Sequence, residues 1–199
     1  MKEDAERYWN ERYQRKEATP ERGPASFLVE HRHLLPRRGQ ALEVAMGTGR
    51  NALYLASLGY EVTGIDVSGV AVERCRQEAA RRSLHVEAVQ ADLESFELPQ
   101  AAYDVVINLY YLQRDLAPQL EGALRPGGVL VFESFTTEQR QFDWGPQNDE
   151  FLLRPGELRE MFPGLEVLAY REGLVEGDRG MKAVAGLVAR KRESEEKDR

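Results

Sequence analysis

The stretch ALEVAMGTGRNALYLASLGYEVTGIDVS, residues 41–68, carries the pattern that decides the fold class. A short apolar run ends near an acid, Glu43, and is followed by a glycine-bearing turn and a helix-like segment. A second apolar run then ends on another acid, Asp66. Short apolar runs that alternate with helices indicate parallel strands joined by right-handed crossovers. The two acids are therefore expected near the carboxyl ends of neighbouring strands.

The same alternation continues beyond this stretch. The strand-like runs are QALEV (40–44), YEVTGID (60–66), HVEAVQAD (85–92), YDVVINLYY (103–111) and GVLVFESF (128–135). Helical segments lie between them, including DLAPQLEGALR (115–125). Two later runs, LEVLAYREGLV and GMKAVAGLVARK, are joined by EGDRG and predict an antiparallel hairpin. The pattern predicts an α/β, doubly wound fold: about seven strands, mostly parallel, with helices on both faces.

Length and charge limit the domain count and the partners. The chain has 199 residues with a formal charge of −7, and its pI is near 5.2. We expect one domain over residues 1–190, with residues 1–36 as an N-terminal helical cap and 191–199 as a charged disordered tail. The acidic charge argues against nucleic acid as a partner. No apolar run suits a signal peptide or a membrane span, so a cytoplasmic protein without a membrane partner is expected.

Cysteine and histidine usage gives no sign of a metal or redox site. The single cysteine, Cys75, lies beside Val72 on the apolar face of a predicted helix, and we expect a buried, inert thiol. His31 and His33 are two residues apart on a helix and so face different directions. His85 opens a strand elsewhere. We therefore predict no metal site.

The predicted strand ends form a ligand-binding edge. Ligands of open parallel sheets bind beyond the carboxyl ends of the strands. Gly47 and Gly49 permit unusual backbone angles and a close approach of the chain to a ligand. Asp66 follows Gly49 by seventeen residues, the placement at which a carboxylate can accept both hydroxyls of a ribose. Asp92 ends the third strand, so the edge predicts a site for a nucleoside.

The turn between the first strand and its helix distinguishes two classes of nucleoside ligand. Dinucleotide oxidoreductases use G-x-G-x-x-G and place a pyrophosphate at the helix N-terminus. The equivalent positions here are Ala45, Gly47 and Arg50, so two of the three glycines are absent. A carboxylate at Glu43 would repel a pyrophosphate and suit the amino group or sulfonium of S-adenosylmethionine. The charge argument favours a methyl donor.

Five motifs carry a family resemblance. The segment EVAMGTGRNALYLASLGYEVTGIDVS resembles the first two motifs of class I S-adenosylmethionine-dependent methyltransferases. The segments VQADLESF, YDVVINLYYL and LRPGGVLVFESF resemble the next three, and the YWNERY leader and the final hairpin extend the match. Within the class, GTGRNALYLASLGYEVTGID and FLLRPGELREMF are similar to tellurite-resistance-type small-molecule methyltransferases. The resemblance implies a Rossmann-like strand order 3-2-1-4-5-7-6, the cofactor S-adenosyl-L-methionine and the product S-adenosyl-L-homocysteine.

The resemblance also implies a set of donor-binding residues. The methionine part would lie against the first turn, the ribose against the second strand end, the adenine against the third, and the fourth strand would face the methionine end. In that order the residues are Glu43, Val44, Ala45, Met46, Gly47, Thr48, Gly49, Arg50 and Asn51; Asp66, Val67 and Ser68; Ala91, Asp92 and Leu93; Asn108 and Leu109.

Each of these assignments has a structural alternative. The first turn and Asp66 could form a tight turn with a helix-capping acid, and Asp92 could cap a short turn. Arg50 could reach a donor carboxylate or form an exposed salt bridge. Ala45 replaces the first family glycine, which costs about 1 to 2 kcal/mol if the position needs a positive φ.

The acceptor side is less readable. Tyr110 and Glu133 are the candidate catalytic residues, although Glu133 is equally a strand-end acid that binds backbone. Tyr110 is expected to face the donor methyl while Tyr111 points into the core. The candidate acceptor-contacting side chains are all aromatic, with packing onto the protein body as the alternative: Trp9, Tyr13, Tyr110, Phe135, Phe142 and Trp144. The long loop TTEQRQFDWGPQNDEF suggests a lid, a binding segment or disorder.

The sequence thus predicts methyl transfer to a small-molecule acceptor, such as a soft anion or a thiol-like species. An in-line displacement from a sulfonium needs alignment and desolvation more than a strong base. Two alternatives remain open: a non-catalytic sensor of the donor or its product, and an NAD-binding oxidoreductase. A monomer or a homodimer is expected.

Overall fold

The structure is a computed structural model that describes residues 2–15, 23–177 and 180–193. Within these residues seven strands form one sheet of order β3-β2-β1-β4-β5-β7-β6, which confirms the predicted order. The strands are β1 (Gln40–Val44), β2 (Glu61–Asp66), β3 (Val86–Gln90), β4 (Tyr103–Leu109), β5 (Leu124–Phe135), β6 (Leu165–Gly177) and β7 (Gly180–Lys191).

Six α-helices and four short 3-10 turns are described around the sheet. The helices are α1 (Lys2–Gln14), α2 (Ser26–Glu30), α3 (Arg50–Ser57), α4 (Gly69–Arg81), α5 (Ala117–Ala123) and α6 (Glu157–Glu160). The 3-10 turns are Arg32–Leu34, Arg114–Leu116, Thr137–Gln141 and Asp149–Phe151. No helix in the described ranges is long and apolar enough to cross a bilayer.

The strand pairing brings the predicted site residues to one edge. Strands β3, β2, β1, β4 and β5 are parallel, whereas β7 is antiparallel to both β5 and β6. Val44 at the end of β1 pairs with Ile65 on β2 and with Asn108 on β4. The carboxyl ends of these three strands therefore lie at the same level.

Helices cover both faces of the sheet. One core joins Phe27 of α2, Leu53 of α3 and Val72 of α4 to one face. The other joins Leu120 of α5 and Leu158 of α6 to the opposite face. Successive side chains of β4 alternate between the two cores, as a strand buried on both faces requires. The doubly wound prediction is confirmed.

The thiol of Cys75 is buried, as predicted. Burial raises its pKa to about 12, so the thiolate is strongly disfavoured. Its Sγ fills the space beside Gly49, where a Cβ atom would come within 2.3 Å of the sulfur. Cys75 is therefore a packing residue under the glycine turn.

The helix predicted over residues 115–125 is too long at its carboxyl end. Helix α5 ends at Ala123, and β5 begins at once with Leu124, which is fully buried and pairs with Tyr103. The register shifts between Tyr103 and Val105, so RPGG forms an irregular beginning of β5. Burial of Leu124 against the sheet outweighs the helical pattern.

The long loop after Phe135 is packed against the body. The side chain of Gln139 is fully buried; its Oε1 accepts from Ala183 N at 2.9 Å and its Nε2 donates to Trp144 O at 2.8 Å. Thr136 bridges to Leu153, and an ion pair joins Arg140 to Asp149. These contacts hold the loop against the body of the protein.

The end of β7 falls inside the predicted tail. Lys191 belongs to the strand, and its Nζ donates to Glu121 O and Leu124 O at 3.0 and 2.8 Å. The boundary predicted at residue 190 is therefore one residue too early. Residues 194–199 of the predicted tail and residues 16–22 of the predicted N-terminal cap lie outside the described part of the chain.

Candidate donor and acceptor site

The turn after β1 adopts three left-handed backbone conformations. The φ angles are +49° at Ala45, +58° at Gly47 and +81° at Gly49. Met46 N donates to Ile65 O at 3.0 Å, which ties the turn to β2. Ala45 therefore has the positive φ at which a cost was expected. Its methyl group occupies a backbone conformation that favours glycine, which costs about 1 to 2 kcal/mol. Thr48 is half-buried, and contact of Gly47 and Thr48 with a donor stays a prediction.

Glu43 is buried and its carboxylate is bound inside the protein. Oε1 accepts from Asn51 Nδ2 and Oε2 accepts from Ala52 N, both at 2.7 Å. Asn51 Oδ1 in turn accepts from Ala25 N at 2.8 Å. Burial raises the pKa of Glu43 to about 7, against the effect of these hydrogen bonds. The carboxylate of Glu43 thus holds the beginning of α3.

Asp66 links the ends of the first two strands. Its Oδ2 accepts from Gly47 N at 2.7 Å and its Oδ1 accepts from Ser68 N at 2.8 Å. Ser68 Oγ accepts from Ala71 N and caps α4, while Val67 between them is half-buried. Burial raises the pKa of Asp66. A carboxylate offers about four acceptor positions, so these two bonds leave capacity for ribose hydroxyls.

Two predicted site residues, Met46 and Asp92, make contacts within the protein. Met46 is buried with its sulfur against Gly64, where a Cβ would come within 2.2 Å, so its side chain fills the core rather than the cleft. Asp92 caps a short turn, because its Oδ1 accepts from Glu94 N at 3.0 Å and its carbonyl accepts from Phe96 N at 2.8 Å.

The neighbours of Asp92 remain beside the second strand end. Ala91 N donates to Asp66 O at 3.0 Å, and Leu93 is buried in the second core. These positions are compatible with the predicted adenine wall. That role for Ala91, Asp92 and Leu93 stays a prediction.

Asn108 carries the clearest sign of a ligand. Its side chain is fully buried at the end of β4, and neither Nδ2 nor Oδ1 has a hydrogen-bond partner among the described residues. Leaving a buried polar group unpaired costs about 1 to 3 kcal/mol. Val44 and Phe132 flank it on the neighbouring strands, and Leu109 follows, buried. A polar ligand at this edge would satisfy the amide.

Helix α1 lies over the glycine turn. The Tyr13 hydroxyl is so close to Gly47 that a Cβ there would lie 2.7 Å from its oxygen. Asn10 Oδ1 accepts from Ser68 Oγ at 2.7 Å and from Val70 N at 3.2 Å. Burial, with Asp66 nearby, raises the pKa of Tyr13, so it stays a phenol. Tyr13 therefore lies against the glycine turn, and its contact with an acceptor stays a prediction.

Trp9 stacks on Tyr13 with ring centroids 5.8 Å apart and remains about one-third exposed. It lies on the outer side of Tyr13, so it supports that ring. Its contact with an acceptor stays a prediction.

A buried polar cluster lies at the ends of β4, β5 and β7. Tyr110 OH donates to Glu133 Oε1 at 2.6 Å, and Lys182 Nζ donates to Tyr110 OH at 2.5 Å and to Glu133 Oε1 at 3.2 Å. Arg171 Nη2 donates to Glu133 Oε2 at 2.5 Å. Burial, followed by the Glu133 charge, raises the pKa of Tyr110. Both predicted catalytic candidates thus belong to one network with two basic side chains.

The cluster crosses three strands because Gly186 has no side chain. In register, Glu133 lies opposite Gly186 on β7, and Gly186 lies opposite Arg171 on β6. The guanidinium of Arg171 stacks 4.5 Å from the Phe27 ring, and a Cβ at Gly186 would come within 2.7 Å of that ring. The glycine leaves room for the Phe27 ring beside the ion pair.

Aromatic rings extend from Tyr110 into the long loop. The Tyr110 and Phe135 centroids are 5.5 Å apart, and Trp144 meets Phe135 edge-on at 6.1 Å. Phe142 is half-buried in the loop, and no ring contact of Phe142 is found in the described ranges. Tyr110 packs on one core and Tyr111 on the other, so the two side chains lie on opposite faces. That Tyr110 faces the donor methyl stays a prediction.

Sequence reasoning missed Lys182 and Arg171. The available signal was Lys182 itself, a charged residue before the buried apolar run of GMKAVAGLVARK. The antiparallel hairpin brings the beginning of β7 beside the end of β5, where acceptor residues were sought.

The comparisons agree with this geometry. Residues 41–128, which contain the glycine turn, Asp66 and Asn108, match a protein-family profile described as a methyltransferase domain. Over this segment the chain resembles the class I methyltransferases that the sequence motifs indicated. The cofactor of this class is S-adenosylmethionine, with S-adenosylhomocysteine as product. The partnerless amide of Asn108, the glycine turn and Asp66 are groups that suit such a ligand.

The chain is similar to two curated relatives and to one solved structure. A malonyl-[acyl-carrier protein] O-methyltransferase of Enterobacter lignolyticus is 32% identical over 136 residues, covering 60% of this chain and 52% of the relative. The probable S-adenosyl-L-methionine-dependent methyltransferase TehB of Haemophilus influenzae is 25% identical over 168 residues, covering 77% and 57%. The chain thus spans little more than half the length of these relatives.

The solved structure comes from work on the conversion of a disulfide bond into a thioacetal group during echinomycin biosynthesis. It superposes with a TM-score of 0.73 at 22% identity, covering 96% of this chain and 93% of the other. At that identity the likeness shows the shared fold.

Proposed function

We propose that this methyltransferase transfers a methyl group from S-adenosylmethionine to a small-molecule acceptor that bears a soft nucleophile, such as a thiolate or a metalloid oxyanion. The observation that carries the proposal is the position of Tyr110. Its ring lies 5.6 Å from the guanidinium of Arg50, which follows the glycine turn, and 4.6 Å from Lys182 Nζ. Tyr110 therefore joins the donor turn to the basic cluster.

The donor side is assigned from the strand ends. Asp66 accepts from the ribose hydroxyls, and the amide of Asn108 binds polar atoms of the methionine part. Backbone of the Gly47 and Gly49 turn contacts the same part, and Tyr13 shields it from water. The bound donor supplies a methyl group on a positively charged sulfur. In its ionised form, the Glu43 carboxylate favours a cation over a diphosphate at this edge.

Neither candidate base of the acceptor side is available in the described part of the chain. Glu133 is clasped by Arg171 and Lys182, and the raised pKa of Tyr110 keeps its hydroxyl protonated. A nucleophile that needs deprotonation in the site would be poorly served by these groups. A nucleophile that is ionised in solution needs only alignment and desolvation. This favours soft anions, in line with the resemblance of the sequence motifs to tellurite-resistance-type methyltransferases.

The test is a transfer assay with methyl-labelled S-adenosylmethionine and a panel of thiols, selenite, tellurite, amines and carboxylic acids. Labelled product and S-adenosylhomocysteine should appear together with a soft nucleophile and not with amines or carboxylic acids. Binding of the donor without turnover across the panel would instead indicate the sensor. Stabilisation against heat by NAD(H), and not by S-adenosylmethionine, would indicate the oxidoreductase.

A further inference from the structure

We propose that Lys182 determines acceptor specificity by binding an anionic group of the methyl acceptor, and that Glu133 and Tyr110 hold it in position. The inference rests on the proposed methyl transfer and adds the charge of the acceptor and the residue that recognises it.

The first argument is the buried charge of Lys182. The residue is 6% exposed, and an ammonium at such a position is retained only with compensating partners. Its carboxylate partner, Glu133, is fully buried and is shared with Arg171. Glu30 also pairs with Arg171, on the half-exposed outer side. The guanidinium of Arg50 lies 5.6 Å from the Tyr110 ring, so a third basic side chain is close to the cluster.

The second argument is the hydrogen-bond inventory of the ammonium. A lysine ammonium has three N–H donors. In the described part of the chain Lys182 uses two of them, on Tyr110 OH and on Glu133 Oε1. The third is available to an acceptor oxygen, and a charge-assisted bond there is stronger than a neutral one.

The third argument is the strain at Tyr110. This tyrosine has a φ of +64°, a conformation that costs a bulky residue about 1 to 3 kcal/mol and that clusters at functional sites. Its hydroxyl bonds to Glu133 and Lys182 hold the ring in that position. Lys182 thereby lies one aromatic ring away from the donor turn, which suits a small acceptor with its anionic group at Lys182 and its nucleophile towards the donor.

A series of three small thiols isolates the charge of the acceptor from its nucleophile. Mercaptoacetate is anionic, 2-mercaptoethanol is neutral and cysteamine is cationic at its second group. In each case the thiolate sulfur forms a bond to the methyl carbon and the bond from that carbon to the donor sulfur breaks. The electron pair stays on the donor sulfur as a thioether, and the thiol proton goes to solvent.

The experiment compares the wild-type chain with Lys182→Met and Lys182→Arg. The control is Arg190→Met, which removes one charge near the opposite end of β7. The measured quantity is the ratio of kcat/KM for mercaptoacetate to kcat/KM for 2-mercaptoethanol, in which the intrinsic reactivities cancel between variants. We expect the wild-type chain to favour mercaptoacetate over both other thiols.

We expect Lys182→Met to lower that ratio by about 10-fold or more, mainly through KM. Lys182→Arg should keep the ratio within about threefold, and Arg190→Met should leave it unchanged. If Lys182→Met does not fold, the double variant Lys182→Met/Glu133→Gln removes both buried charges and serves the same comparison.

An unchanged ratio in Lys182→Met would overturn the inference, as would an equal fall in Arg190→Met. Absence of turnover with all three thiols, while S-adenosylhomocysteine still binds, would overturn it as well. The dissociation constant of S-adenosylhomocysteine distinguishes failure of the Lys182 inference from failure of the proposed methyl transfer. Failure of the wild-type chain to bind it contradicts the proposed methyl transfer itself.

Discussion

Ala45 combines a left-handed backbone with a side chain that disfavours it. We predict that Ala45→Gly raises the free energy of unfolding by about 1 kcal/mol, because the methyl group no longer clashes at a φ of +49°. Urea denaturation measures the change. Ala101 is the matched control, since it is exposed and has a φ of +48° away from the site.

Ala101→Gly should give a similar gain in stability and leave the affinity for S-adenosylhomocysteine unaltered. Ala45→Gly should bind the product at least as tightly as the wild-type chain. Loss of stability in Ala45→Gly would show that the alanine methyl makes contacts that outweigh the strain.

Glu43 makes a second prediction at the residue scale. Its pKa is raised from 4.5 to about 7 in the folded chain, so the folded state binds this proton more tightly than the unfolded state. The contribution of Glu43 to stability is therefore present below about pH 4.5 and is lost as the pH rises towards 7. At 1.36 kcal/mol per pKa unit, the change over this window is about 3 kcal/mol.

The measurement is the pH dependence of unfolding in the wild-type chain and in Glu43→Gln. The difference in slope between pH 4.5 and 7 isolates Glu43, whatever the glutamine costs in absolute stability. Glu157, whose pKa is lowered to about 2, acts with the opposite sign and below this window. Parallel curves for the two proteins would contradict the raised pKa.

At the scale of elements, the C-terminal hairpin depends on Gly186. We predict that Gly186→Ala destabilises the fold by about 2 kcal/mol, because its Cβ would overlap the Phe27 ring beside the Arg171–Glu133 pair. Thermal or urea unfolding measures the cost. Gly23→Ala is the control, since nothing lies within 4 Å of a Cβ there. Equal effects of the two substitutions on stability would show that β7 shifts to accommodate the added methyl group without loss of stability.

Helix α1 is tied to the donor edge by few contacts. We predict that Asn10→Ala, which removes the bonds to Ser68 Oγ and Val70 N, speeds amide exchange in α1 and weakens S-adenosylhomocysteine binding by about 3- to 10-fold. Glu11→Ala on the exposed side of α1 is the control. Unchanged exchange in Asn10→Ala would mean that Tyr13 and its neighbours hold the helix by themselves.

Sequence periodicity predicted the elements better than their ends. The run 40–44 matches β1 residue for residue, and the two hairpin runs closely match β6 and β7. The helix over 115–125 ran past Ala123, because the burial of Leu124 beside Tyr103 depends on a strand that is distant in the chain. Local pattern carries no information on that contact.

At the scale of the molecule, the donor edge was predictable and the acceptor cluster was not. The turn and Asp66 lie within one crossover unit, so spacing alone brings them together. Lys182 and Arg171 meet Glu133 only through the register of β5, β7 and β6, which apolar strands specify weakly from sequence. The hydrogen bonds that Glu43 accepts from Asn51 and Ala52 could not be predicted either. An acid before a turn can face a ligand or the beginning of a helix, and the sequence pattern is the same in both cases.

The central claim is that the edge formed by β1, β2 and β4 binds a positively charged adenosyl compound. Isothermal titration calorimetry of the purified chain with S-adenosylmethionine, S-adenosylhomocysteine and NAD⁺ tests it most directly. The account predicts one-to-one isotherms for the first two, weakened in Asn108→Leu, and no heat with NAD⁺. A saturating isotherm with NAD⁺ and none with either adenosyl compound would contradict it.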